Sequence, residues 1–288
     1  DGVLSRRIGC AVGMYVGDGQ GNNKEFEPFD PAKCDDPYPM AEMLNEEKCG
    51  RFQLIVGQQT DDASMGHVLF VNFALHGHFY DLLLAKAGFL LWWARGYCNG
   101  QDRKPRFRVD DNREATSVGL GGQIGSTLNF NEPSPEKAFD TAPAVLKGGS
   151  TKNNGNGSLM RNAAFAALLQ GHGPAAADVT SQVTFRRWPG TRPALEVVAL
   201  HSAFNSFVTH SGVAAAMEAG IMAALASQAM HDFQDDPKGL LGPANMEAVW
   251  SWLKPFFVEH LPGVQEDDLH TVACIMGSKP ETIQYGPT

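Results

Sequence analysis

The sequence predicts an all-α fold in a single domain spanning residues 1–288, and three observations carry that expectation. Apolar residues recur at helical spacing in long segments along the chain. Only residues 52–56 form a clearly β-like run, while 178–187 can be read as a strand or an exposed loop. No Pro-, Gly- or Ser-rich linker divides the chain. A hydrophobic content of 43% with 17 Phe is ample for one buried core.

Bulk properties narrow the function before any motif does. A net charge of −9 argues against a nucleic-acid backbone or an anionic membrane as partner, because like charges repel. It leaves room for one phosphorylated small molecule in a local pocket. The five cysteines (Cys10, Cys34, Cys49, Cys98, Cys274) are odd in number and never form a C-x-x-C pair. That usage fits a reducing compartment, the cytoplasm or an organelle interior, better than a disulfide scaffold. Apolar runs such as residues 88–94 are too short to span a bilayer, so no membrane span is expected. The chain opens at Asp1 rather than Met, as expected of a processed chain or a fragment.

Residues 6–16 read as a helix through Ile8, Val12, Tyr15 and Val16, and the Gly17-Asp18-Gly19-Gln20-Gly21 run is expected to end it irregularly. Glu25 follows. It is either a solvated side chain or a carboxylate belonging to a pocket. Residues 29–50 read as a long loop.

Gly57-Gln58-Gln59-Thr60-Asp61-Asp62 then precedes the apolar run 65–75. Asp and Thr start helices well, since their oxygens accept unpaired first-turn N–H groups and the helix dipole favours negative charge there. One cap needs only one such oxygen. Three adjacent hard donors also suit a divalent cation such as Mg²⁺, which retains waters and takes one or two carboxylates.

Residues 65–75 and 79–95 read as two buried helices. His67, His76 and His78 near them lack zinc-ligand spacing and read as core or surface histidines. Residues 119–125 (G-L-G-G-Q-I-G) lack the preceding strand of a dinucleotide loop and read as a packed turn. The Gly/Asn-rich stretch ending in Gly155, Asn156, Gly157 and Ser158 leads into an alanine-rich helix. It is either a capped loop or a set of N–H groups facing a phosphate, because both use the same donors.

Residues 194–208 and 212–231 are strong helices, the second dense in Ala and Met as close packing requires. His210 between them is either a capping or surface residue or a pocket residue. Residues 246–260 form a further helix. Asp268, Leu269, His270 and Thr271 then open a last helix with the layout of the first acidic cluster, carboxylate and threonine before an apolar run.

Taken together, these stretches resemble the ADP-ribosylglycohydrolase family, which includes the ADP-ribosylarginine and ADP-ribosylserine hydrolases and the dinitrogenase reductase-activating glycohydrolase. The resemblance is carried by five segments in order: residues 7–26, 57–65, 155–161 (G-N-G-S-L-M-R), Thr209-His210 and 268–277. It implies a compact helical fold around two Mg²⁺ ions. The implied activity is hydrolysis of the glycosidic bond between ADP-ribose and a modified protein side chain, so the expected partner is an ADP-ribosylated protein or ADP-ribose.

Residue by residue, the resemblance implies Thr60, Asp61, Asp62, Asp268 and Thr271 as metal ligands, with Asp61, Asp62 and Glu25 serving catalysis. Gly155, Asn156, Gly157, Ser158 and His210 would bind substrate. Three departures stand out. His270 occupies the place of a metal-bridging carboxylate, although imidazole is a poor ligand for a hard cation. Residues 108–112 differ from the family turn, and the chain stops soon after Gly277. The alternative reading is therefore a catalytically impaired relative that serves as a binding or structural subunit of a larger assembly.

Overall fold

The computed structural model describes residues 2–21, 52, 54, 57–75, 81–99, 117–128, 154–169, 195–231 and 237–277. Among them the regular elements are all helical, as the sequence predicts. Of the β-like run, the described Leu54 makes an isolated bridge and is fully buried. Glu25, His76, His78 and the segments 108–112 and 178–187 lie outside the described residues.

The elements in order are α1 (Gly2–Gly21), α2 (Asp61–Leu75), α3 (Leu82–Arg95) and α4 (Gly122–Leu128). A 3₁₀ turn (Asn156–Ser158) then leads to α5 (Ala163–Leu168), α6 (Leu195–Ser206) and α7 (Val213–His231). The chain continues through α8 (Pro237–Leu240), α9 (Pro243–His260) and α10 (Glu266–Gly277).

Helix ends follow local chemistry where tertiary contacts allow it. Asp81 caps α3 by accepting from Leu83 N at 2.7 Å and Leu84 N at 3.0 Å. Gly96, at φ +71°, closes the same helix in the left-handed conformation that suits glycine. Pro243 opens α9, where a missing N–H costs nothing. One expectation is corrected. Residues 17–21 are not an irregular loop but the last turn of α1. The buried Asp18 in that turn is bonded to the start of α2, and this tertiary tie outweighs the weak helix propensity of the glycines.

The core centres on α6 and α7, which make the most extensive helix pairing. Small residues set their separation. A methyl group at Gly220 would lie 2.6 Å from the Ala199 carbonyl oxygen and 2.9 Å from the Phe257 ring. Helix α7 is long and apolar enough to cross a membrane by length and composition, which the sequence reading did not single out, but 72% of that window is buried. It packs against α5, α6, α9 and α10, so its apolarity is that of a core helix. Helices α1 and α2 pack on each other and on α5, which brings the N-terminal elements to the core.

Candidate functional site

The site begins where α1 ends against the start of α2. Asp18 is buried, and its Oδ1 accepts from Thr60 Oγ1 at 2.7 Å. Its Oδ2 accepts from Thr60 N and Ala63 N, each at 2.9 Å. Ala63 supplies the third N–H of α2, the donor that a helix cap normally satisfies. That capping bond therefore comes from Asp18, 45 residues away, and not from the Thr60-Asp61-Asp62 triplet.

Asp61 and Asp62 form the wall beside it. Burial pushes the Asp62 carboxyl above its usual range, partly offset by the Thr60 hydroxyl, which lies 3.2 Å from Asp62 Oδ2. The Asp18 carboxyl is likewise pushed up by burial and pulled back by its bonds to Ala63 and Thr60. A methyl group at Gly119 would fall 2.3 Å from Asp61 Oδ1, and Gly119 has φ +88°. Both the space and the backbone conformation call for glycine there.

The Gly119 loop is held by a chain of polar contacts. Asn99 Oδ1 accepts from Trp92 Nε1 at 3.0 Å, Asn99 Nδ2 donates to Ser117 Oγ at 3.2 Å, and Ser117 Oγ donates to the Trp92 carbonyl. Residues 119–121 lead directly into α4, which begins at Gly122, where the sequence reading expected only a packed turn. Gly119, Gly121, Gly122, Gln123 and Ile124 all line the cavity.

The facing wall is the 3₁₀ turn with His210. Asn154 Oδ1 accepts from Ala215 N at 3.3 Å, which ties this segment to the first turn of α7. Ser158 is buried beneath the turn, where its Oγ accepts from Ser206 Oγ at 2.9 Å. A methyl at Gly155 would approach His210 Nε2 to 3.3 Å, and one at Gly157 would approach Cε1 to 3.1 Å. Bare backbone is thus what lets the ring sit against the turn.

Behind His210 lies a fully buried Arg161, its guanidinium 4.6 Å from the centroid of the Phe89 ring. Arg161 Nε donates to Asn205 Oδ1 at 3.2 Å, and Nη2 donates to the Asn205 carbonyl and to Thr209 Oγ1, each at 2.9 Å. Thr209 Oγ1 in turn lies 2.8 Å from His210 Nδ1.

These walls enclose a cavity of about 600 Å³, a size suited to a small-molecule ligand. Of the residues singled out from sequence, Thr60, Asp61, Asp62, Gly155, Asn156, Gly157 and His210 line it. Asp18, Gly17, Gly21, Met160, Gly119, Gly121 and the first turn of α4 (Gly122, Gln123 and Ile124) complete the lining. The glycine density of residues 119–125 was the available signal for this wall. A lone Asp between glycines carried no signal for Asp18.

Asp268, His270 and Thr271 are not among the lining residues. They sit on α10, which packs on α7 and α9. Asp268 Oδ2 accepts from Gln265 N at 3.1 Å across its own first turn, as a capping-box side chain does. Thr271 is exposed and donates to the Asp267 carbonyl at 2.8 Å, while the exposed His270 lies 3.6 Å from Cys274 Sγ.

Among the described residues no group of three or more His, Cys, Asp or Glu is arranged to hold a metal. Two carboxylates and a hydroxyl on consecutive residues still fit an ion that keeps most of its water, the habit of Mg²⁺. The sequence model of a family described as ADP-ribosylglycohydrolase matches residues 1–283. No curated protein matches the chain.

Proposed function

Because the chain belongs to the ADP-ribosylglycohydrolase family, we propose that it hydrolyses the glycosidic bond between ADP-ribose and a modified protein side chain, with Mg²⁺ as cofactor. The observation carrying this reading is the shared cavity, in which Thr60, Asp61 and Asp62 line the same space as Gly155, Asn156, Gly157 and His210. A cation-binding wall and a bare-backbone wall in one cavity are what a sugar diphosphate needs. The ribose end requires polarisation, and the diphosphate requires close N–H donors.

In this reading Thr60, Asp61 and Asp62 hold the ion. Mg²⁺, when bound, supplies Lewis-acid polarisation of the ribose hydroxyls and a more acidic water. Burial holds the Asp18 and Asp62 carboxyls above their usual range, and a cation beside Asp62 would pull its carboxyl back down. Gly155, Asn156 and Gly157 orient the ribose and diphosphate, with Ser158 bracing the turn from below. Glu25 is assigned the proton transfer, or the stabilisation of positive charge developing on the sugar. The ion is assigned to the α2 side alone, and Asp268, His270 and Thr271 to the start of α10.

The alternative of a catalytically impaired relative, kept as a subunit of an assembly, draws its support from His270. His270 does not line the cavity, and neither do Asp268 and Thr271, so the hydrolase reading rests on the Thr60, Asp61 and Asp62 wall together with Gly155, Asn156, Gly157 and His210. The deciding experiment incubates the full chain with arginine- and serine-linked ADP-ribosyl peptides, with and without Mg²⁺. Mg²⁺-dependent release of free ADP-ribose, lost in Asp61→Asn and Asp62→Asn, is the expected result. Binding of ADP-ribose without release from either peptide would favour the impaired relative.

A further inference from the structure

The hydrogen-bond chain behind His210 fixes where that ring carries its proton. Arg161 is a donor only, so Thr209 Oγ1 must accept from its Nη2 at 2.9 Å. The threonine hydroxyl then has one proton left to give. His210 Nδ1, at 2.8 Å, is the partner in reach of it among the described residues. An Nδ1–H bonded to the second lone pair of Oγ1 would leave the proton of the fully buried Thr209 hydroxyl without an acceptor among the described residues. Nδ1 is therefore the acceptor, and in an uncharged imidazole the proton sits on the other nitrogen. That nitrogen, Nε2, faces Gly155 and Gly157 on the cavity wall.

We propose that Arg161 and Thr209 are positioning residues that lock His210 as the neutral Nε2–H tautomer. The cavity then offers its ligand a hydrogen-bond donor at this point, neither a base nor a cation. The ligand atom seated against Gly155 and Gly157 is accordingly an acceptor oxygen. Its identification as a hydroxyl or phosphate oxygen of ADP-ribose rests on the function proposed above, whereas the tautomer does not.

The electrostatics agree with the geometry. Burial first, and the Arg161 cation second, push His210 down to about 3. The residues facing Nε2, Gly155 and Gly157, carry no charge to counter this. Asp18, Asp61 and Asp62 are the carboxylates that line the same cavity among the described residues. His210 is thus uncharged at neutral pH and does not serve as the proton donor to a leaving group.

The test is two-bond ¹H–¹⁵N correlation NMR of the histidine rings in the full chain, with His210 assigned by its loss in His210→Gln. The expected spectrum shows an unprotonated Nδ1 and a protonated Nε2, unchanged between about pH 5.5 and 8, the range where an ordinary histidine titrates. Thr209→Ser, which keeps the hydroxyl, should retain that pattern and the affinity for ADP-ribose. Thr209→Val should mix the tautomers and weaken ADP-ribose binding about tenfold, the scale of one ordered hydrogen bond. A protonated Nδ1, or a ring titrating near its ordinary value, would overturn the proposal. So would a Val variant with the native pattern. If the Val variant does not fold, the native and Ser spectra decide. The expected native pattern with no ADP-ribose binding would sink the functional reading and leave the tautomer lock standing.

Discussion

Thr60 Oγ1 donates its proton to Asp18 Oδ1 at 2.7 Å, joining the end of α1 to the start of α2 across 42 residues of chain. The same carboxylate holds Thr60 N and Ala63 N, so a single side chain sets the register of the Thr60-Asp61-Asp62 wall.

Asp18→Asn should therefore disturb both stability and cation binding. The amide can accept at its oxygen but turns N–H₂ toward groups that are themselves donors. The expected loss is on the order of 2 kcal/mol, typical of leaving buried donors unsatisfied. The rise in melting temperature caused by millimolar Mg²⁺ should shrink in parallel, since ligand binding to the native state is what produces it. An Asn variant with native melting and a native Mg²⁺ response would show that the Asp18 carboxylate does not organise the wall.

His270→Asp is expected to change nothing at the cavity. Its ring is exposed beside Cys274 on α10, and the new carboxylate would face solvent. ADP-ribose release and Mg²⁺ response should match the native chain, whereas Asp62→Asn should abolish the Mg²⁺ response. Gain of turnover in His270→Asp would return α10 to the reaction.

Two helical glycines should respond differently to alanine. At Gly220 the added methyl meets the Ala199 carbonyl at 2.6 Å, backbone that cannot step aside, so a loss of about 1–3 kcal/mol is expected from overpacking. At Gly66 it meets the Met14 sulfur at 2.2 Å, the far end of a flexible side chain. Alanine also gains up to about 1 kcal/mol of helix propensity, so Gly66→Ala should be near neutral. Urea unfolding of both variants measures the contrast, and equal losses would refute it.

Stability should also carry a pH signature from Glu218 on α7, whose carboxyl burial raises to about 7. A raised folded-state value means the native chain holds a proton that the unfolded chain has released. This contribution is present below the ordinary glutamate value, falls as pH rises toward about 7, and levels off above it. Glu218→Gln removes the ionisation. It should gain on the native chain by on the order of 1 kcal/mol at pH 8, after discounting for solvent screening, and by nothing near pH 4. Thermal melts across that range check it, and a gap independent of pH would refute it.

Much of the fold was legible because helices announce themselves locally. The apolar runs at 65–75 and 212–231 and the acidic start at Glu266 all became helices within a few residues of expectation. Repeat period and end-capping chemistry are short-range properties. The last turn of α1 is not legible locally because its glycines are unfavourable in a helix, and only the Asp18 bonds to α2 show why the helix continues.

The sequence by itself determined the helical class and the family, since each depends on residue type and order. Only the tertiary structure decided which clusters share a cavity. It brings Asp18, Gly119 and the first turn of α4 to the α2 wall, sets His210 against bare backbone, and keeps Asp268 and Thr271 on their own helix. The two acidic clusters have the same local pattern, and they differ in what packs behind them. Asp18 satisfies the first turn of α2, whereas Asp268 is spent on the first turn of its own helix.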